Sequence, residues 1–266
     1  MPDDHTGAGD PDRTLALLWR HVDDEPRRRG PRPSRSVDEV VKAATVLADD
    51  SGLGAVTMRA VAGRVGVAPM SLYTYVPGRS ELLDLMVDAA YLEMPRPPWR
   101  GRSWRRRVTA VAEANRALFE DHPWLAVVGT LSRPPLGPGQ LAKYEHELAA
   151  FDGTGLGDVE TDATLAFVLG FVQNHARAAE ASRRARQESA LDDMQWWEAN
   201  APLLARVVDE RAYPRATRIG SAAGAAQGSA HDPESAWTFG LARVLDGLAA
   251  LVDRRVRSRG DRPARP

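Results

Sequence analysis

The amino-acid sequence predicts an all-α chain, in which an N-terminal three-helix helix-turn-helix domain precedes a larger helical bundle. Three observations carry that expectation. Residues 36–52 and 80–94 each place apolar side chains at spacings of three, four and seven, the stripe of an amphipathic helix. Between them, two short helical segments meet at Gly66. From residue 103 onward longer segments repeat the stripe, and AFVLGFV at 166–172 is apolar almost all round, as in a helix buried on several sides.

Each element has its own local reason. Ser36 opens the first helix, with Val37, Val40, Val41, Ala44, Leu47 and Ala48 on one face and Gly52 at its end. Thr57 is an N-cap residue whose hydroxyl can satisfy the first free amides of the next helix. That helix runs to about Val65 on an apolar face of Val61, Ala62 and Val65, and Gly66 follows where the chain needs a positive φ. Ala68 to about Val76 forms a second short helix around one buried residue, Leu72. Pro69 sits in its first turn, where the amide it lacks would have had no partner. After the turn Pro77-Gly78-Arg79, a helix starting at Ser80 carries Leu82, Leu83, Leu85, Met86, Ala89 and Ala90 to about Met94.

The second half reads as helices from Trp104 to Phe119, Pro123 to Thr130, Gly139 to Phe151, Asp158 to about Ala190 and Leu191 to Val208. Pro134-Pro135-Leu136-Gly137-Pro138 is a rigid loop. Residues 215–232, RATRIGSAAGAAQGSAHD, read as a mobile low-complexity linker. The last helix, Pro233 to about Arg257, has Trp237, Leu241, Val244, Leu245, Leu248, Leu251 and Val252 on one stripe.

The short helix after Gly66 presents an outward face of Pro69, Met70, Ser71, Tyr73, Thr74 and Tyr75. Small side chains near a helix start let backbone amides approach phosphates, Met70 and Thr74 suit thymine methyls, and tyrosine hydroxyls suit phosphate oxygens. This is the chemistry of a helix-turn-helix unit that reads DNA.

With those residues in view, positions 36–94 resemble the N-terminal half of the TetR family of bacterial transcriptional regulators. Thr57, Arg59, Val61, Ala62, Val65, Gly66, Val67, Leu72, Tyr73, Tyr75, Val76, Arg79, Leu82 and Leu83 stand at the family's motif positions. The resemblance implies base contacts for Arg59, Pro69 and Met70, and backbone contacts for Thr57, Tyr73, Tyr75 and Arg79, with Ser71 and Thr74 on the same face. The recognition helix lacks Gln, Asn, Lys and Arg at its outward positions before Arg79. Readout then falls on Arg59, methyl contacts and DNA shape. Through HPWL at 122–125 and RPPLGP at 133–138, the second half is similar to the tetracycline-repressor type of regulatory domain. That implies a homodimer, its interface a four-helix bundle of about residues 158–185 and 233–252 from each copy. A palindromic operator also asks for two recognition helices about 34 Å apart, which one copy of the motif cannot supply.

Four segments follow: a flexible basic arm at 1–35, the helix-turn-helix domain at 36–80, a helical ligand-binding and dimerisation domain at 81–258, and a disordered tail at 259–266. In the arm, RRRGPRPSR at 27–35 has five arginines and no acid, a pattern suited to phosphates or a narrow minor groove. The net charge of −1 over 266 residues means that DNA affinity must come from such local patches. The chain has no cysteine, which excludes disulfides, thiolate metal sites and cysteine nucleophiles. No signal peptide or spanning segment is visible, so the expected location is the cytoplasm.

Catalytic and metal readings fare poorly, and neither a catalytic residue, a metal nor a cofactor is expected. Asp192 and Asp193 read as a helix cap, and His122, His146 and His175 stand outside any metal-ligand spacing. Trp124, Tyr144, Phe171, Asn174, His175, Trp196 and Trp197 are the candidate walls and polar rim of an inducer pocket for a flat or bulky apolar molecule. The expected function is a homodimeric repressor released from its operator by a small molecule. The alternative is a DNA-binding protein whose second domain is a dimerisation scaffold with no ligand.

Overall fold

The computed structural model describes residues 5–21, 35–227 and 232–260. Among them every regular element is helical. The basic run at 27–34 and the tail at 261–266 lie outside the described residues. The chain forms two compact units, Met1–Ala176 with Leu245–Pro266, and Arg177–Val244.

In the first unit, helix α1 (Pro11–Leu18) is capped by the Asp10 side chain, which accepts from Arg13 N. It occupies part of what the sequence led us to expect as a flexible arm. Helix α2 (Val37–Ser51) begins in a capping box: Ser36 Oγ accepts from Glu39 N, and Glu39 accepts from Ser36 N. Helices α3 (Met58–Val65) and α4 (Pro69–Leu72) form the turn pair, and α5 (Arg79–Glu93) follows. The second short helix ends at Leu72 rather than near Val76; residues 73–75 continue as turns.

Helix α5 is the structural axis. It buries Leu82, Leu83, Leu85, Met86, Val87 and Ala90, and also Glu81, Asp84 and Asp88. A one-sided amphipathic helix was expected there; the structure surrounds it. The apolar side chains join α2, α3 and α4 with Leu18 of α1 and, beyond α6 (Trp104–Asp121), with Leu125 and Val128 of α7 (Leu125–Val128) in one continuous core. Each of the three carboxylates accepts from at least one backbone amide, while Asp84 Oδ2 is buried without a hydrogen-bond partner. Glu81 accepts from Asp10 N at 3.2 Å, Asp84 from Gly7 N at 2.9 Å, and Asp88 from Gln140 N at 2.8 Å and Gly139 N at 3.2 Å. The last two amides start α8 (Pro138–Leu148), which lies so close to α5 that a Cβ on Gly139 would fall 2.0 Å from the Asp88 carbonyl oxygen.

Helix α9 (Asp158–Ser189) and the terminal α12 (Pro233–Gly260) each begin in one unit and end in the other. In the first unit, Leu165, Val168 and Val172 of α9 are buried, but Val159 is 84% and Phe167 59% exposed. The 166–172 segment is therefore not buried on all sides. Leu245, Leu248 and Val252 of α12, expected at a dimer interface, are buried within this chain. Helix α12 has the length and apolarity to cross a bilayer; the burial of these three side chains identifies its stripe as a core face.

The second unit contains α10 (Asp193–Val207) and α11 (Pro214–Gln227). Asp192 caps α10 by accepting from Gln195 N at 2.7 Å, the role expected of the acidic pair. Most of the expected linker is helix α11: alanine, arginine and glutamine favour the helix more than its glycines and serines oppose it.

Candidate nucleic-acid interface and ligand cavity

The interface is built on the packing of α3 and α4. Thr57 Oγ1 accepts from Ala60 N at 3.1 Å, and the left-handed Gly66, with φ 79°, ends α3. Gly66 N and Val67 N both donate to the Ala62 carbonyl, which turns the chain back. Val61 and Ala62 beneath α3, with Leu72 and Val76 from the turn pair's far side, have no exposed surface. Apolar anchors thus hold the unit, and the outer face is left free.

Of the nine residues expected to meet DNA, Thr57, Arg59, Pro69, Met70, Ser71, Tyr73 and Thr74 are exposed, and Tyr75 and Arg79 are half-buried. Met70, 77% exposed, projects furthest into solvent among the unit's apolar side chains. Arg79 has a second task. Its Nε donates to the Val56 carbonyl at 2.9 Å and a terminal nitrogen donates to Leu53 O at 3.3 Å, which pins the start of α5 beneath the turn before α3. Burial pulls its pKa below the ordinary arginine value.

The second half of the first unit holds a cavity of about 350 Å³ that is partly open to solvent. Phe119, Leu131, Leu136, Leu165 and Leu169 contribute apolar wall. At its base lies a charged group. Lys143 Nζ pairs with Glu147 Oε2 at 2.7 Å, both residues being buried, and Asn115 Nδ2 donates to Glu147 Oε1 at 2.6 Å. The ammonium also stands 5.2 Å from the centre of the Tyr91 ring. Burial, aided by the charges of Glu147 and Asp88, pushes the Tyr91 phenol up, so Tyr91 remains a neutral hydroxyl. From α9, Gln173 donates to the carbonyls of Gly129 and Ala126. Tyr144 OH donates to Asp162 Oδ1 at 2.7 Å, a bond that raises its pKa.

Tyr144 is the one expected pocket residue that lines this cavity. Asp162, Leu165, Ala166, Leu169 and Gln173 make the α9 wall. Phe171, Asn174 and His175 fall off that line, because each residue turns the helix by about 100°; Asn174 is exposed. Trp124 belongs to the continuous core instead, where its Nε1 donates to Asp49 Oδ1 on α2 at 2.7 Å. His122 Nδ1 meets the same oxygen at 2.8 Å. Trp196 is 46% exposed on α10, and Trp197 packs against α11, its Cζ2 3.1 Å from where a Cβ on Gly224 would stand. His146 stacks on Trp99 with ring centroids 4.4 Å apart, and burial lowers its pKa. Among the described residues no cluster of acidic, histidine or cysteine side chains could hold a metal ion.

Sequence reasoning missed Lys143, Glu147, Asn115 and Gln173. A Lys and Glu four residues apart on a helix ordinarily read as a solvated pair. The only hint was Gly139, four residues before Lys143 on the same face, which marks the side of α8 that meets α5.

Both halves of the chain match known proteins. Residues 40–86 match the family described as bacterial regulatory proteins, tetR family, and residues 97–252 match the tetracyclin repressor-like C-terminal domain. The chain is 38% identical over 254 residues to the HTH-type transcriptional repressor DrrR1 of Streptomyces coeruleorubidus, covering 94% of this chain and 90% of that protein. It is 34% identical over 178 residues to an HTH-type transcriptional regulator of Saccharopolyspora erythraea, covering 65% and 75%. Among solved structures it resembles ActR from Streptomyces coelicolor in complex with actinorhodin, with TM-score 0.68, 25% identity and 83% and 99% of the two chains covered. With both halves matched by family models and a repressor aligned over nearly its whole length, the chain belongs to the TetR family of DNA-binding transcriptional regulators.

Proposed function

We propose that this regulator is a homodimeric cytoplasmic repressor that leaves a palindromic operator when a flat or bulky, largely apolar molecule enters the cavity beside Tyr144 and Lys143. The cavity carries the reading. Its volume of about 350 Å³, with apolar walls over a buried polar base, has the size and character of a small-molecule site, whereas a pure dimerisation scaffold would be packed solid. The solved complexes of ActR with actinorhodin and with (S)-DNPA support a ligand in this class of domain. Arg59, Pro69, Met70, Ser71 and Thr74 meet bases or the groove wall, and Thr57, Tyr73, Tyr75 and Arg79 lie toward the phosphates. For the dimer, the apolar face of α9 at Val159, Ala163 and Phe167 and the exposed Gly247 and Ala250 of α12 suit contact with a second copy.

The test starts with operator selection from random duplexes, followed by a release screen with polycyclic aromatic molecules, actinorhodin included. Release is expected for the wild type and absent in Ala166→Trp, which fills the cavity without touching α3 or α4. Equal release from that variant would move the ligand elsewhere. In sedimentation, Phe167→Asp should yield monomers with weakened operator binding; an unchanged dimer would refute the α9 interface.

A further inference from the structure

The cavity roof and the DNA-reading helices are joined by a segment that the family motifs leave out. Residues 128–136 supply Gly129, Thr130, Leu131, Pro134, Pro135 and Leu136 to the cavity. The N-terminal segment holds this loop at both ends. Thr6 N donates to the Val128 carbonyl at 3.1 Å, Thr6 Oγ1 donates to the Arg133 carbonyl at 2.6 Å, and Trp19 Nε1 donates to Leu136 O at 2.8 Å.

The same segment is also tied to the reading half. Gly7 N and Asp10 N bind the Asp84 and Glu81 carboxylates of α5, and Arg20 forms an ion pair with Asp38 in the first turn of α2. Glu81 is two residues from Arg79, whose guanidinium holds the carbonyls just before α3. The fit leaves little freedom. Gly7 has φ +73°, and a Cβ there would stand 3.2 Å from Arg133 Cβ.

We propose that residues 5–21 act as a strap that couples the cavity roof to α2 and α5, so that a change at one is felt at the other. A ligand lifting the 129–136 loop would draw on Thr6 and Trp19, and the strap passes that displacement through Gly7, Asp10 and Arg20 to the base of the reading unit. This rests on reading the cavity as a ligand site. The coupling itself is reciprocal, so DNA bound at α3 and α4 must alter the roof as the roof alters DNA binding.

That reciprocity permits a test with no ligand. Hydrogen exchange of the full-length protein is measured with and without a selected operator duplex, in wild type, Thr6→Val/Trp19→Phe and Arg20→Gln. The first variant removes side-chain bonds to the roof and the second removes the ion pair to α2, and both leave Leu18 packed in the core. DNA should slow exchange of the 129–136 amides by about fivefold or more in the wild type. The response should fall below about twofold in both variants, with half-saturating DNA concentration changed by less than about threefold. An equal roof response in wild type and variants, or none in the wild type, overturns the strap. Failure to find a releasing small molecule would refute the ligand reading while leaving this result intact. Failure to select any duplex would overturn DNA reading and the strap with it.

Discussion

The reading unit and the cavity bundle use buried space in opposite ways. Around α3 and α4 the interior is apolar, with Val61, Leu72 and Val76 fully enclosed, while polar and amphipathic side chains face outward. Around the cavity the interior contains a lysine, a glutamate and an asparagine bonded to one another. Apolar packing needs no partner orientation, so the first region can hold a face whose side chains are free to meet another molecule. A buried ion pair gains only if its geometry is kept, so the second region is specific but costly. The outward face can therefore vary without disturbing its support, whereas at the cavity the polar groups are part of the support itself.

The largest expected effect breaks the second region. Lys143→Met leaves Glu147 buried with Asn115 alone and should cost about 3–5 kcal/mol in urea denaturation. The double variant Lys143→Met/Glu147→Leu should recover most of that loss; if it is no more stable than the single variant, the pair is not the coupled unit described. Next, Leu72→Ala should cost about 2–5 kcal/mol, because the short α4 has no other fully buried side chain to hold it. Amide protection should fall around residues 57–76 while α8 retains its own, and a uniform loss would erase the contrast between the two regions.

A smaller effect probes the outward face alone. Arg59→Ala should weaken operator binding by about 1–3 kcal/mol and relax preference at one base pair, with stability unchanged. Tyr73→Phe should weaken operator and random duplex alike. Competition binding against both duplexes separates the two, and an equal loss on random DNA for Arg59→Ala would assign it to phosphate.

The mildest prediction concerns pH. Asp84 lies between the regions, and burial pushes its pKa from 3.8 up to about 6, with Glu81 adding to the rise and the Gly7 amide opposing it. A raised carboxyl binds more protons folded than unfolded between those values, so stability should fall as pH rises from 3.8 to about 6 and then level off. Asp84→Asn keeps an acceptor for Gly7 and should remove that slope. Parallel melting temperatures across pH 4 to 7 for both proteins would contradict it.

Local signals reach far in this chain. The caps at Ser36, Thr57 and Asp192, the turn at Gly66 and the outward set from Pro69 to Thr74 all stand where spacing and side-chain chemistry put them. Each depends on neighbours within four residues, which a single chain displays directly. The terminal stripe was also visible as a stripe, but not what it faces: Leu245, Leu248 and Val252 turn into their own chain.

Long-range pairing decided the remainder. Periodicity gives a helix its apolar and polar faces but not its neighbour, so α8 could present Gly139, Lys143 and Glu147 to the interior and still read as solvated. A rotation of about 100° separates Gln173, which lines the cavity, from Asn174, which does not. Trp124 was lost to Asp49, a residue 75 positions away, and the segment around helix α1 is held by the Glu81 and Asp84 carboxylates and by the core around Leu18, partners that its own stretch of sequence does not name. The sequence by itself therefore determined the helices that carry a regular apolar stripe, the caps at Ser36, Thr57 and Asp192 and the exposed face after Gly66, since these are written within a few turns of chain. The cavity, its buried charge and the strap across it belong to tertiary structure, because each is made by groups that only folding brings within hydrogen-bond reach.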